Sequence, residues 1–254
     1  VSGTNLFDLT GKTALVTGCR AGLGLGMAKA LASAGADIVG ADYMEMGQAQ
    51  AEIEAMGRRF HGVVADFGKP IDFHAMVAKI EADFAPVDIL INNAGIIRRA
   101  DVLEFTEEDW DAVMNINIRA AFFIAQAVAK RIVARGVPGR IISTASLLAF
   151  QGGIRVPSYT ASKHGIAGIT KLLANELAGK GITANAIAPG YMATDNTTAL
   201  RADAVRERQI VERIPAGRWG LPEDLATTVL FLASPHSGYV NGIVVPVDGG
   251  WLAR

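Results

Sequence analysis

With 254 residues and 50% hydrophobic content, the chain is long enough to bury a large core, and one α/β sheet accounts for that length. Its 24 basic and 25 acidic residues give a net charge of −1 and are spread along the chain, excluding a basic stripe for nucleic acid and a polybasic membrane anchor. The single cysteine, Cys19, excludes an internal disulfide, no Cys/His cluster offers a metal site, and neither a leader nor an apolar run near the ~20 residues of a membrane span is read, so the expectation is a cytoplasmic protein that binds small molecules or copies of itself.

Short apolar runs then alternate with helical patterns. TALVT precedes a helix over about Gly22 to Ala34, ADIVGA one around Met46 to Met56, and FHGVVA one around Phe73 to Phe84. VDILI follows, then a helical stretch from Trp110 towards Arg135, RIISTA, a helix from about Ser158 to Ala178, ITANAIA, a helix after Pro222, and GIVVPV. Continuous apolar strands separated by helices predict crossover connections and a parallel sheet covered on both faces. No repeat or linker interrupts residues 1–254, which read as a single domain. Residues 191–221 are polar, arginine-rich and broken by Pro215 and Gly217, and they read as a short helical lid.

TGCRAGLG places Gly18, Gly22 and Gly24 at the first strand-to-helix turn, with Arg20 and Leu23 between them. Glycine lets the backbone approach a ligand, and free N–H groups with the helix dipole favour an anion, so a pyrophosphate fits there. The spacing is GxxxGxG. Asp42 ends the second strand, where a carboxylate accepts hydrogen bonds from an adenosine ribose. That acid repels a 2′-phosphate and Tyr43 beside it adds no cation, which favours NAD; Arg20 could reach a 2′-phosphate or stack on adenine, and NADP stays open.

Thirteen positions after Ser146 comes Tyr159, which begins the run YTASK ending at Lys163. A phenol that titrates near pH ~10 needs roughly 4 kcal/mol of help to work near neutrality. One cation at ~4 Å in an effective dielectric of ~20 supplies about that much. Residues i and i+4 share a helix face, so Lys163 stands one turn from Tyr159.

TGCRAGLG, Asp66 after the third strand, NNAG at Asn92 to Gly95, Asn117 in NINIRAAF, Ser146, YTASK and APG at Ala188 to Gly190 occur in one order along nearly the whole chain. In these motifs it resembles the short-chain dehydrogenase/reductase family. The resemblance implies a Rossmann-type three-layer α/β/α sandwich with a seven-stranded parallel sheet in the order 3-2-1-4-5-6-7. It implies Tyr159 as general acid/base, Lys163 lowering its pKa and holding the nicotinamide ribose, Ser146 hydrogen-bonding the reacting oxygen, and Asn117 anchoring a water that links Lys163 to bulk. For the cofactor it implies Asp66 and Phe67 around the adenine, Asn93, Ala94 and Gly95 on the adenosine side, and Pro189, Gly190, Met192 and Thr194 at the nicotinamide. Phe122, Phe123, Ile166, Leu172 and Leu173 exceed what one sheet face needs, which points to self-association; the resemblance implies a homotetramer.

FQGGIRVPSYTASK, NAIAPGYMATDNTTALRAD, IPAGRWGLPEDL and VDGGWLAR resemble family members that act on deoxy sugar acids. The implied reaction is hydride exchange between a nicotinamide cofactor and a secondary alcohol or ketone of a 2-deoxy-D-gluconate or 2-dehydro-3-deoxy-D-gluconate type acid. Such a substrate needs a cation for its carboxylate: Arg155 first, then Arg98 and Arg99, with Gln151 for a hydroxyl. His164 turns some 100° from Lys163 on the helix and reads as packing or solvent-facing. Trp110, Trp219 and Trp251 read as core or interface anchors. The alternatives are a gluconate 5-dehydrogenase, a keto-uronate reductase or a 3-oxoacyl carrier-protein reductase, and, in another class, a non-catalytic nucleotide-binding regulator.

Overall fold

A computed structural model describes residues 5–254; residues 1–4, which open the segment read for a leader, lie outside the described residues. Its strands are β1 (Thr13–Thr17), β2 (Asp37–Asp42), β3 (Phe60–Val64), β4 (Ile89–Asn92), β5 (Gly139–Thr144), β6 (Ile182–Pro189) and β7 (Val244–Val247). All pair in parallel in the order 3-2-1-4-5-6-7. Between them run α1 (Gly22–Ser33), α2 (Gly47–Ala55), α3 (Phe73–Asp83), α4 (Glu107–Met114), α5 (Ala121–Arg135), α6 (Pro157–Leu177), α7 (Thr198–Ala202), α8 (Ala204–Arg213) and α9 (Ala226–Ala233).

Side chains alternate across the sheet and so feed two cores. Val16 and Ile38 pack with Met27 and Leu31 of α1 and Val229 and Leu232 of α9. Leu15, Val39 and Leu90 pack on the opposite face with Val77 and Ile80 of α3 and Ile124, Val128 and Ile132 of α5. Because both faces are covered, β1 and β2 are buried at every position, which explains their unbroken apolar sequences. β1 lies between β2 and β4, where the strand order reverses, and the crevice beyond those carboxyl ends is where ligands bind in such sheets.

One difference from the sequence reading has a local cause. The helix placed from Trp110 begins at Glu107, because Thr106 accepts from the Asp109 amide at 3.1 Å and three acids fill the first turn, where the dipole favours them. It then runs through a π-helical segment, Asn115–Ala120, into α5. The whole span Glu107–Arg135 is 29 residues long with a window of mean hydropathy 1.4, so one stretch does reach membrane-span length and apolarity, contrary to expectation. Its apolar residues Ile124, Val128 and Ile132 lie in the core.

Ile166 and Leu173, expected to serve self-association, are buried within the chain, Phe122 is partly buried, and Phe123 and Leu172 are exposed. Residues 191–221 leave and rejoin the sheet region at one place, since Met192 bridges to Gly220. Between lie a turn at Asp195–Thr197, α7 and α8, and Asp203 starts α8 by accepting from the amides of Val205 and Arg206.

A methyl group at Gly24 would sit 2.0 Å from the Gly18 carbonyl oxygen, whereas one at Gly47 meets nothing within 4 Å. Gly24→Ala is therefore expected to cost about 2 kcal/mol or more by overpacking, and Gly47→Ala to gain about 0.5 kcal/mol, in urea denaturation.

Candidate active site

The nucleotide end is built where β1 meets β4. Gly18 turns the chain at φ +67, and its amide donates to Ala41 O at 2.8 Å. Thr17 Oγ1 accepts from the amides of both Asn93 and Ala94 at 3.0 Å. Asn93 Nδ2 returns to the carbonyls of Thr17 at 3.1 Å and Gly18 at 3.3 Å. The glycine turn and Asn93 to Gly95 are thus one unit, and Thr17, absent from the sequence-level candidates, joins them. A hydroxyl ending a strand just before a glycine turn was the available signal. α1 starts at Gly22 with Ala21 as its N-cap and no side chain capping it.

Asp42 is buried at the end of β2. Its Oδ2 accepts from the Arg20 amide at 3.2 Å, while its Oδ1 is buried without a hydrogen-bond partner. Arg20 Nε lies 3.9 Å from that oxygen, and its guanidinium sits 5.8 Å from the centre of the Tyr43 ring. Arg20 is therefore tethered between Asp42 and Tyr43 rather than free. A buried acceptor lacking a donor, beside a glycine turn and an uncapped helix start, fits the ribose hydroxyls and pyrophosphate of a dinucleotide. Asp66 accepts from the Gly68 amide and pairs with Lys69 at 3.4 Å. Phe67 turns its ring into the core against Phe73.

The proposed catalytic group gathers where β5 ends and α6 begins. Ser146 caps a short turn, accepting from the Leu148 amide at 3.2 Å. Lys163 is 4% exposed; its Nζ donates to Thr144 O at 2.6 Å and lies 5.3 Å from the centre of the Tyr159 ring. Burial pushes the Lys163 ammonium down to about 8. Burial also raises the Tyr159 phenol above its usual value, while the Ser146 hydroxyl and the Arg99 charge pull it back.

Asn117 lies in the π-helical segment, where one extra residue per turn moves its side chain off the α-helical stripe. Its Oδ1 accepts from Ile96 N at 2.9 Å, and its Nδ2 donates to Ile96 O at 3.0 Å and Ser162 Oγ at 3.2 Å. Ser162 in turn donates to Tyr159 O at 2.8 Å. Both amide protons of Asn117 thus bond within the protein, and its side chain ties Ile96 to Ser162 of α6.

The far wall comes from the end of β6. Gly190 donates to Val247 O at 2.9 Å, and a Cβ there would lie 2.6 Å from the Asp248 Cα. Pro189 closes the strand, and Met192 is buried. Thr194 caps the Asp195–Thr197 turn, with Thr197 answering it, and its methyl lies 3.7 Å from where a Gly22 side chain would start. Thr194 therefore meets the glycine turn at Gly22.

The arginines separate. Arg98 pairs with Asp109 at 3.1 Å and Arg155 with Asp101 at 3.2 Å. Among the described residues Arg99 has no ion-pair partner, and its charge bears on Tyr159. Arg155 is also the one non-glycine residue with positive φ, +64, among those described. Gln151 is half-buried. His164 is exposed, its Nδ1 3.0 Å from Thr160 O, as expected. Trp251 is buried, Trp110 is 40% exposed, and Trp219 packs edge-on to Tyr191.

Sheet order, crevice and side chains define a nucleotide-dependent oxidoreductase. The family described as Enoyl-(Acyl carrier protein) reductase matches residues 18–252. The chain is 57% identical over 248 residues to 2-dehydro-3-deoxy-D-gluconate 5-dehydrogenase of Escherichia coli strain K12, covering 98% of each. A solved structure from Agrobacterium tumefaciens, a candidate 2-deoxy-D-gluconate 3-dehydrogenase with bound NADP, is 54% identical with TM-score 0.92, covering 99% of this chain and all of that one. A gluconate 5-dehydrogenase of Burkholderia cenocepacia J2315, in complex with NADP and tartrate, is 38% identical with TM-score 0.93 and 98% of both chains covered. The chain belongs to the short-chain dehydrogenase/reductase family and is an NAD(P)-dependent oxidoreductase.

The Lys163 ammonium yields a test of sign. Its folded pKa of about 8 lies below the ordinary 10.5, so between those values the unfolded chain binds more protons and stability rises with pH. Denaturation of wild type and Lys163→Met from pH 7.5 to 10.5 is expected to show that rise in wild type and its loss in the variant.

Proposed function

We propose that the protein transfers a hydride between a nicotinamide cofactor and a secondary alcohol or ketone of a deoxy sugar acid, of the 2-deoxy-D-gluconate or 2-dehydro-3-deoxy-D-gluconate type. The observation that carries this reading is the 57% identity over 98% of both chains to an enzyme named for that substrate. When bound, the nicotinamide supplies or takes up the hydride. Tyr159 gives or removes the proton at the substrate oxygen, and Ser146 holds that oxygen by its hydroxyl. Lys163, anchored on Thr144 O, holds the nicotinamide ribose and answers any charge on the phenol. Gly18, Gly22, Leu23 and Gly24 take the pyrophosphate, Asn93 to Gly95 the adenosine side, and Pro189, Gly190, Met192 and Thr194 the nicotinamide.

The substrate carboxylate goes first to Arg99, since Arg98 and Arg155 already face acids. Asp42 Oδ1 takes a ribose hydroxyl, which makes NAD the preferred coenzyme; Arg20, held beside that acid, is the residue that admits NADP. Residues 191–221 act as the lid. We infer that the protein works in the cytoplasm as a homotetramer with two-fold axes, the exposed Phe123 and Leu172 lying in its contacts.

Tyr159→Phe is expected to cut turnover about 10²-fold or more while coenzyme affinity holds; near-normal turnover overturns the acid/base assignment. Arg99→Ala should raise KM for sugar acids about tenfold and leave uncharged polyols unaffected, with Arg98→Ala and Arg155→Ala nearer wild type. Equal losses on charged and uncharged substrates count against carboxylate binding. In paired assays with NAD+ and NADP+, Arg20→Ala should lower kcat/KM for NADP+ about tenfold more than for NAD+; equal effects remove Arg20 from coenzyme choice.

A further inference from the structure

The excursion between β6 and α9 is fastened at its base by residues 248–254. Asp248 accepts from the amides of Gly250 at 2.8 Å and Leu252 at 2.9 Å, shaping a turn through Gly249 (φ +64) and Gly250 (φ +90). That turn is moulded on the end of α8. Ala216 N donates to Gly249 O at 2.9 Å, and Cβ atoms at Gly249 and Gly250 would meet Ile214 at 2.9 Å and Pro215 at 3.0 Å. Trp251 is 5% exposed, with the Arg213 guanidinium 4.0 Å from its ring centre. Arg254 then donates from Nε to Arg213 O at 3.1 Å and from Nη2 to Glu212 O at 2.6 Å. Those carbonyls end α8, where a helix leaves acceptors unpaired and carries its negative pole.

Elsewhere the excursion is lightly held. α7 has no buried residue and α8 only Ile210. Ile210, Ile214 and Trp251 share one apolar cluster with Leu147, the neighbour of Ser146. A cavity of about 190 Å³ bordered by Tyr191, Ala216 and Gly249 lies beside the base. We propose that Arg254 is a positioning residue: by capping α8 it fixes the base about which α7 and α8 close, and so sets the affinity for substrate without touching it. This rests on the reading of residues 191–221 as the lid. Arg254 acts on α8 through two backbone carbonyls, so a charged donor of another shape recovers part of the effect and a neutral side chain none.

The experiment compares wild type, Arg254→Ala and Arg254→Lys by steady-state kinetics with a deoxy sugar acid, by coenzyme titration, and by trypsin cleavage after Arg201, Arg206 and Arg208. In Arg254→Ala, KM for the sugar acid should rise about fivefold, with kcat and coenzyme Kd within about twofold of wild type, and lid cleavage should speed up by a similar factor even with coenzyme alone. Arg254→Lys should recover part of both. An unchanged KM with unchanged cleavage overturns the proposal, as does a KM rise without faster lid cleavage, which would mean that Arg254 acts on substrate directly. If no sugar acid is turned over by wild type, the functional reading fails while the cleavage comparison still decides whether Arg254 fastens α8.

Discussion

Everything at this site hangs on a line of hydrogen bonds that crosses three strand ends. Gly18 O accepts from Asn93 Nδ2, Asn93 Oδ1 accepts from Thr144 Oγ1, and Thr144 O accepts from Lys163 Nζ. Thr17 locks its first step by receiving the amides of Asn93 and Ala94. Each group is a side chain or carbonyl that the sheet leaves unpaired at its carboxyl edge, so the edge satisfies itself by joining the glycine turn to α6. Distance between the glycine turn and the Lys163 ammonium is thereby set by short polar contacts on rigid strands rather than by loop packing.

The electrostatics follow from that burial. Surrounding a phenol and an ammonium with protein, the phenol partly and the ammonium almost wholly buried, disfavours the charged form of each, so the phenol moves up and the ammonium down to about 8. Taken alone the protein therefore opposes the phenolate–ammonium pair. Ser146 and Arg99 offset part of this, and an oxidised nicotinamide, which carries positive charge, would offset more. Asn117 and Ser162 meanwhile hold the Tyr159 turn of α6 through its backbone carbonyl, independently of charge.

Much of this was legible in the chain. TALVT became β1 residue for residue, and the glycine turn, Asp42, Ser146 and YTASK lie where a strand-and-helix rhythm puts them, because buried parallel strands and capped helices leave strong local patterns. What escaped depends on partners distant in sequence. Thr17 is an ordinary strand threonine until Asn93 reaches it. The Arg98–Asp109 and Arg155–Asp101 pairs take two attractive cations, whereas Arg99, ranked behind its neighbours, keeps its charge free of such a partner. The π-helical segment has no periodic signature of its own, since it occupies only one turn inside a longer apolar helix.

Cys19 sits inside the glycine turn, fully buried, and burial together with the Asp42 charge pushes its thiol up to about 12. At neutral pH it is protonated and shielded, so thiol reagents meet it only when the turn opens. The chain's single sulfhydryl is consequently a built-in clock for that opening. Its labelling rate counts how often the glycine turn comes apart, and a coenzyme held there, as proposed, would slow the clock in proportion to its grip.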